Sequence, residues 1–332
     1  MLGETPIGLD IGSKWIKACQ DLGRGRRATA CFPRLEPGAA LSSVESQRIA
    51  SVLMRRGFRG ERVVVAAPSV RSVELELPAS VGAGMLGAAA RMEAARVLRL
   101  DPWSFELALW PLPRPARASG DTTAFAGAAL PHEEAMALVA PLEEIGLEVT
   151  GIDLGGGALV RSCAGALGAG SMGVVLDVGW SGISIIVVCG GVAVYERRLP
   201  DLGIGQLCAQ VGEELSLEPD RAELIVRRSL TMPGQVVHES VLARMTAMSQ
   251  WLGHEIEVSM EYAWHRYGDS GQGVIVVAGG GAGLRGLDGI GRSLEMRVVP
   301  LDVPSTPTTP GGAILAGAAG LAAVARRKER AA

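Results

Sequence analysis

The stretch Gly173–Val192, GVVLDVGWSGISIIVVCGGV, reads as two buried β-strands around a tight turn, with Asp177 and Gly179 placed where the apolar run ends. A carboxylate at the mouth of so apolar a strand is costly unless it is paired or bound to a cation. Near the start of the chain, Ile7–Ala18, IGLDIGSKWIKA, carries the same LD-x-G signal at Leu9, Asp10 and Gly12. In the turn after each aspartate, glycines let backbone N–H groups converge on an anion. Gly179 and Gly182 do so in one copy, Gly12 and Ser13 in the other. Two such hairpins facing each other would offer donors to phosphates, while Asp10 and Asp177 held Mg²⁺ through its waters. A single D-x-G is often an ordinary turn. Two copies about half a chain apart, each following an apolar strand, point to a metal–phosphate site.

A third element is Val274–Leu287, VIVVAGGGAGLRGL, in which a buried strand runs into Gly279, Gly280 and Gly281. Such a backbone can approach a flat nucleobase and ribose closely because no side chain intervenes. The alternative is a glycine-rich turn that packs a helix tightly on the sheet.

The rest of the chain frames these motifs. Its 332 residues with 48% hydrophobic content allow a large core and more than one lobe. A net charge of −3 gives no electrostatic footprint of a nucleic-acid binder. Five scattered cysteines without a CxxC pair suit a reducing compartment better than a disulfide scaffold or a zinc site. The start, MLGETPIGLD, lacks the form of a signal peptide. Gly311–Ala325 is apolar but only fifteen residues long and rich in Gly and Ala, against the roughly 20 apolar residues of a spanning helix. It reads as a buried core helix.

Helical spacing marks Ser46–Gly57, Ala83–Leu98, Pro131–Ile145, Gly203–Leu215, Asp220–Ser229 and Glu239–Tyr267. Strand patterns mark Arg62–Pro68, Val70–Pro78, SFELALWPL after Pro102, Glu148–Asp153, Gly273–Ala278 and Met296–Val299. The expected organisation is a first lobe over 1–60, an inserted subdomain over 61–130, the first lobe again over 131–172, a second lobe over 173–310 and a C-terminal helix over 311–332 returning to the first lobe. Two similar α/β lobes imply a cleft between them, the usual ligand site.

In the order LDIGSKWIK, LDVGWSGIS and VVAGGGAGLRGL, the motifs resemble the phosphate-1, phosphate-2 and adenosine motifs of the actin-like ATPase superfamily. Within it the chain most resembles the PilM family of type IV pilus assembly, related to FtsA. The likeness takes in VVVAAPSVRSVELELP, RLDPWSFEL, PLEEIGLEVTGIDLGGGALVR and LPDLGIGQLCAQVGEEL, and so nearly the whole length. It implies an α/β actin-like ATPase fold: two ribonuclease H-like lobes around a nucleotide cleft, with a small α+β subdomain inserted in the first lobe. It implies ATP and Mg²⁺ as cofactors. Asp10, Gly12, Ser13 and Lys17 would form the phosphate-1 side, and Asp177, Gly179 and Ser181 the phosphate-2 side. Gly203, Gly279, Gly280, Gly281 and Leu284 would surround the adenosine. Asp10 and Asp177 would hold the metal through water, Asp177 also ordering the attacking water's surroundings as the catalytic residue. Lys17 has a second reading as a solvated lysine on an edge strand. The implied partner is the N-terminal cytoplasmic peptide of a PilN-like inner-membrane protein, alongside other pilus platform proteins. The chain would then be cytoplasmic, recruited to the inner membrane without inserting into it.

This sequence departs from the family pattern at several points. Relatives usually carry an acidic residue in the first-lobe connection, where this chain has Gly155 within Asp153-Leu154-Gly155-Gly156-Gly157. Trp180 replaces a small residue, Gly182 stands where a hydroxyl residue is common, and Val226 stands where relatives often carry lysine. Nucleotide binding rests on backbone donors and Mg²⁺ and tolerates such changes; hydrolysis needs a positioned water. Other readings are an FtsA-like protein, a type II secretion platform relative, or a sugar-kinase-like phosphotransferase. The first is disfavoured by an Ala-rich end followed by RRKERAA, a poor amphipathic membrane helix. The last would need a catalytic aspartate where the GID-LGGG connection offers glycines. His254, Glu257, Glu261 and His265 share one helical face, but no second cluster completes a metal site. The chain is expected to be at most a weak ATPase. Steady phosphate release faster than about 1 s⁻¹, ordinary for enzymes, would contradict the reading of Gly155.

Overall fold

The computed structural model describes residues 5–67, 69–116, 121–168, 172–231, 239–268, 273–283, 287, 290, 296–301 and 312–324. The decisive hairpins form as expected. Strands β1 (Ile7–Ile11) and β2 (Trp15–Asp21) pair antiparallel, as do β9 (Met172–Val178) and β10 (Ile183–Cys189). Each hairpin gains a third antiparallel strand, β3 (Arg27–Pro33) or β11 (Val192–Leu199). Two parallel strands then join the other side of each: β4 (Arg62–Ala66) and β8 (Glu148–Asp153) in one sheet, β12 (Val274–Ala278) and β13 (Arg297–Pro300) in the other. The two five-stranded sheets therefore run in the same order, β3-β2-β1-β4-β8 and β11-β10-β9-β12-β13. This is the two-lobed duplication that the motif pair implied.

Between β4 and β8 lies a small subdomain of β5 (Arg71–Pro78), α2 (Ala83–Leu98), β6 (Phe105–Pro111) and β7 (Thr122–Pro131). Its sheet runs β5-β7-β6, so β5 and β6 are both edges. Val73, Leu75 and Leu77 face α2, while Glu74 and Glu76 face outward. Two expectations need correction here. Arg62–Ala66 does not belong to the insert but lies between β1 and β8 in the first sheet, so the boundary at residue 61 falls too early. The insert also has a strand, β7, at its centre that the strand patterns above do not include. The insert reaches the second lobe as well: Trp110 Nε1 donates to the Ala193 carbonyl at 3.1 Å, the Ala116 amide to the Arg266 carbonyl at 2.9 Å, and Arg266 pairs with Glu74.

Helices cover both sheets. The first lobe carries α1 (Ser43–Arg55) and α3 (His132–Glu143). The second carries α5 (Ile204–Glu214), α6 (Pro219–Thr231) and α7 (Glu239–Tyr267), so Asp220 sits inside the first turn of its helix and is not its cap. The remaining two exchange sheets. Helix α4 (Gly155–Leu167), which follows the first sheet in sequence, buries Leu159, Val160, Cys163 and Leu167 against Val175, Ile186, Val188 and Val276 of the second. Helix α8 (Ala316–Ala322), within the apolar terminal segment, packs Leu321 on the first sheet beside Val64. It is the buried helix its composition suggested. No helix among the described residues is long and apolar enough to cross a membrane.

The two exchanged helices cross in backbone contact. A Cβ on Gly320 would stand 1.8 Å from the Ala158 carbonyl oxygen, and one on Gly8 of β1 would stand 2.0 Å from that of Ala318. Arg161 Nε and Ser162 Oγ of α4 donate to the carbonyls of Gly320 and Ala316 at 3.1 and 2.6 Å. Overpacking a rigid backbone contact costs about 1–3 kcal/mol. Gly320→Ala should therefore lower the midpoint of thermal unfolding. Gly165→Ala, with open space around it on α4, should leave it unchanged or raise it through helix propensity, by up to about 1 kcal/mol.

Candidate functional site

Asp10 and Asp177 each occupy the second-last position of the first strand of their hairpin. The repeat is thus one of register as well as sequence. In the first hairpin Asp10 lies directly opposite Lys17, whose Nζ donates to Asp10 Oδ2 at 2.8 Å. Strand β2 runs between β1 and β3, so Lys17 is on an interior strand and the solvated edge-lysine reading fails. In the second hairpin Asp177 lies opposite Ser184, and Ser184 opposite Arg198 on β11. Arg198 Nη2 in turn donates to Ser181 Oγ at 3.1 Å.

The two hairpins face each other. Burial works against the charge on Lys17, yet the carboxylates of Asp10 and Asp177 outweigh it and hold its pKa above the ordinary lysine value. For Asp177 burial pushes the carboxyl pKa up and the like charge of Asp10 adds to the rise, while Lys17 and Arg198 oppose it. Asp177 is only partly buried. Both aspartates are seated by glycines. A Cβ on Gly317 of α8 would stand 3.0 Å from Asp10 Oδ2, and one on Gly279, where φ is +88°, would stand 2.2 Å from Asp177 Oδ1.

The glycines divide into packing and open positions. The amides of Gly12 and Gly179 close their own turns, on the carbonyls of Trp15 and Gly182, each at 3.0 Å. These two donors do not face the gap, contrary to their expected role. Gly203 presses against the Trp180 carbonyl and Gly281 against Val178 and Ile204. Of the three glycines after β12, only Gly280 opens onto free space. Leu284 lies outside the described residues. At the start of α4, Asp153 accepts from the Leu154 amide and pairs with Arg161, and Gly155 has open space around it.

Four residues outside the expected set, Lys14, Glu223, Arg198 and Glu196, also reach the site. Lys14, in the first turn, pairs with Glu223 of α6 at 2.9 Å and stands 4.2 Å over the Trp180 ring. Arg198 completes the polar row with Ser184 and Asp177. Glu196, on the same strand, turns its carboxylate to Gly156, where a Cβ would be 2.6 Å from Oε2. Burial raises its pKa, helped by Asp177 and opposed by Arg198. Period-two alternation along β11 places Glu196 and Arg198 on one face, but which face it is depends on β11 being recognised as a strand. Chemically the cleft offers Asp10 from one lobe, Asp177 and Glu196 from the other, and Lys17 lying between the two aspartates, with carboxylate oxygens as the metal-binding atoms. That donor set fits a hard divalent cation held through water beside a polyanion. The His254, Glu257, Glu261 and His265 row lies along α7, and no metal-binding group of three or more side chains occurs among the described residues.

No family model matches the chain, and no curated protein sequence does. Solved structures do. A chain of a PilM-PilN type IV pilus biogenesis complex is 21% identical with a TM-score of 0.76, over 96% of this chain and 97% of that one. The ethanolamine utilization protein EutJ from Carboxydothermus hydrogenoformans is 14% identical, TM-score 0.58, over 96% and 88%. MreB 5 of Spiroplasma citri bound to AMPPNP is 11% identical, TM-score 0.55, over 100% and 98%. The fold is the actin-like one.

Lys17→Met would leave two carboxylates facing each other without their shared cation. A charged hydrogen bond of this kind is worth about 1.5–3 kcal/mol. The variant should unfold at lower denaturant concentration at pH 7, and adding Asp10→Asn should recover much of the loss. An unchanged midpoint in the single variant would show that Lys17 does not hold the pair together.

Proposed function

We propose that the chain is a nucleotide-binding actin-like scaffold of type IV pilus assembly that grips the N-terminal cytoplasmic tail of a PilN-like inner-membrane protein. The observation that carries the nucleotide half is the convergence of Asp10 and Asp177, one from each lobe, on Lys17. In this reading Mg²⁺ sits between the carboxylates through its waters, Lys17 turns to a phosphate, and Gly280 gives the adenosine its open backbone face. Ser13 and Ser181 add hydroxyls at the two turns. Turnover is slow or absent because Asp153 is engaged by Arg161 and Gly155 offers no base. The partner half rests on the likeness to the PilM-PilN complex and on the insert. Strand β5 is a free edge of alternating character, flanked by exposed Met85 and Met92 on α2. Edges of this kind capture extended peptides. Closure of the lobes around ATP would reach this grip through the contacts of the insert with Ala193 and Arg266, as a shift between two populations. The chain would be cytoplasmic and reach the membrane through its partner.

Calorimetry with Mg·ATP tests the first half. Asp177→Ala should weaken binding at least tenfold and Ser13→Ala by less than threefold, because the carboxylate acts through the metal and the hydroxyl is one donor among several. Equal affinities for wild type and Asp177→Ala would remove the metal from this place. For the second half, a synthetic peptide with the cytoplasmic N-terminal residues of a PilN-like inner-membrane protein should bind the chain, and more tightly with Mg·ATP than without. Failure of that peptide to bind in either state would remove the scaffold reading.

A further inference from the structure

The tips of the two hairpins are tied together by residues that the metal–phosphate reading leaves unused. Lys14, at the tip of the β1–β2 turn, reaches 209 positions along the chain to Glu223 on α6 and pairs with it at 2.9 Å, the two side chains being only 22% and 18% exposed. The same ammonium stands 4.2 Å over the ring of Trp180, at the tip of the β9–β10 turn. Trp180 is itself laid down on the first turn of α5: a Cβ on Gly205 would be 2.8 Å from its Nε1. Helix α6 takes a second hold on the first hairpin through Arg227, whose guanidinium lies 5.8 Å from the Trp15 ring centre. One lysine therefore closes the gap between the two turns, and it does so on a bulky ring where a small residue would leave the gap open.

Resting on the reading of this gap as a nucleotide site, we infer that Lys14, Trp180 and Glu223 form a clasp that competes with the nucleotide and sets how fast it enters. A triphosphate cannot lie between the turns while Lys14 sits on Trp180. Its charge density exceeds that of the single Glu223 carboxylate, and ionic contacts with phosphate are strong, so the ligand itself draws Lys14 off. The clasp belongs to both lobes, and its release frees them to move relative to each other.

The test is stopped-flow binding of N-methylanthraniloyl-ATP with Mg²⁺ to the full chain. Trp180→Ser and Lys14→Ser should each raise the association rate at least tenfold, and the double variant should add little to either because both remove one contact. Trp180→Ser should also bind tighter by about the same factor, its dissociation being little changed. Lys14 sits in a turn and belongs to neither lobe's apolar core, so its variant keeps the test valid should the Trp180 variant not fold. Association rates within twofold of wild type in both variants, with binding retained, would overturn the clasp while leaving the nucleotide site intact. No binding of the probe by wild type or by either variant would overturn the nucleotide reading and the clasp with it. Binding that appears only in the variants would support the clasp in its strongest form.

Discussion

Helices α4 and α8 each pack on the other lobe's sheet, and they cross where Gly320 meets the Ala158 carbonyl without room for a methyl group. Because each helix is rooted in one lobe and buried against the other, the lobes cannot separate without undoing a core. They can only rotate about the crossing, as in hinge and shear motions generally. Asp10 touches Gly317 on α8, and Asp177 belongs to the sheet that α4 covers. The two carboxylates consequently lie beside the pivot. A rotation that displaces distant surfaces by several ångströms moves these groups little, which keeps a charged site intact through opening and closing.

The charges themselves make this arrangement demanding. Two aspartates from different lobes, directed at one gap, repel each other, and burial of Asp177 sharpens the penalty. Lys17 resolves it by hydrogen bonding to one carboxylate and lying in the field of the other. The trio still carries a net negative charge, so a divalent cation arriving with its own phosphates would complete the neutralisation and release Lys17 to the anion. The same logic governs the outer rim, where Lys14 and Glu223 neutralise each other across the lobes. In both layers a lysine from the first hairpin is held by a carboxylate.

Sequence reading reached the duplicated hairpins because two signals coincide there: an apolar strand and an aspartate followed by glycine at the same offset. It lost the third strand of each sheet for physical reasons. β3 follows a turn rich in Gly and Arg, and β11 carries Glu196, Arg197 and Arg198 in succession, so neither shows a continuous apolar run. Half of β7 is alanine and glycine, which are depleted from strands, and they break up its apolar run. β4 shows the opposite failure. Its run of valines was recognised as a strand but assigned to the insert, because nothing local distinguishes a parallel strand buried on both faces from the start of a new unit. The glycines were visible but their roles were not. Gly279 and Gly281 pack the turn, Gly8 and Gly320 admit a helix, and only Gly280 opens to space, distinctions set by neighbours far away in sequence. Lys14 and Glu223 stand in the same position, 209 residues apart with no shared pattern.

The insert draws its consequence from the same geometry. It enters from the end of β4 and returns through α3 to β8, so its roots lie wholly in the first lobe. Its far side is bonded to Ala193 on β11 and to Arg266 on α7, both of the second lobe. A body held at both ends across a pivot has to follow rotation at one end or the other, either tilting on its roots or giving up the far contacts. The contacts that tie it to the second lobe are two backbone-directed hydrogen bonds, one ion pair on a partly exposed Glu74, and the packing of Leu112, Ala124 and Ala126 on that lobe's core. Exposed pairs of that kind contribute little, up to about 1 kcal/mol, so the Glu74–Arg266 contact is weak enough to be remade in each state while the apolar contact through Leu112 holds. Glu74 lies on β5 itself, the free edge on which an extended peptide would pair. Any rotation that breaks the Arg266 contact therefore changes the charge and freedom of the very strand that would take the partner, with no need for a rearrangement of the insert's own core.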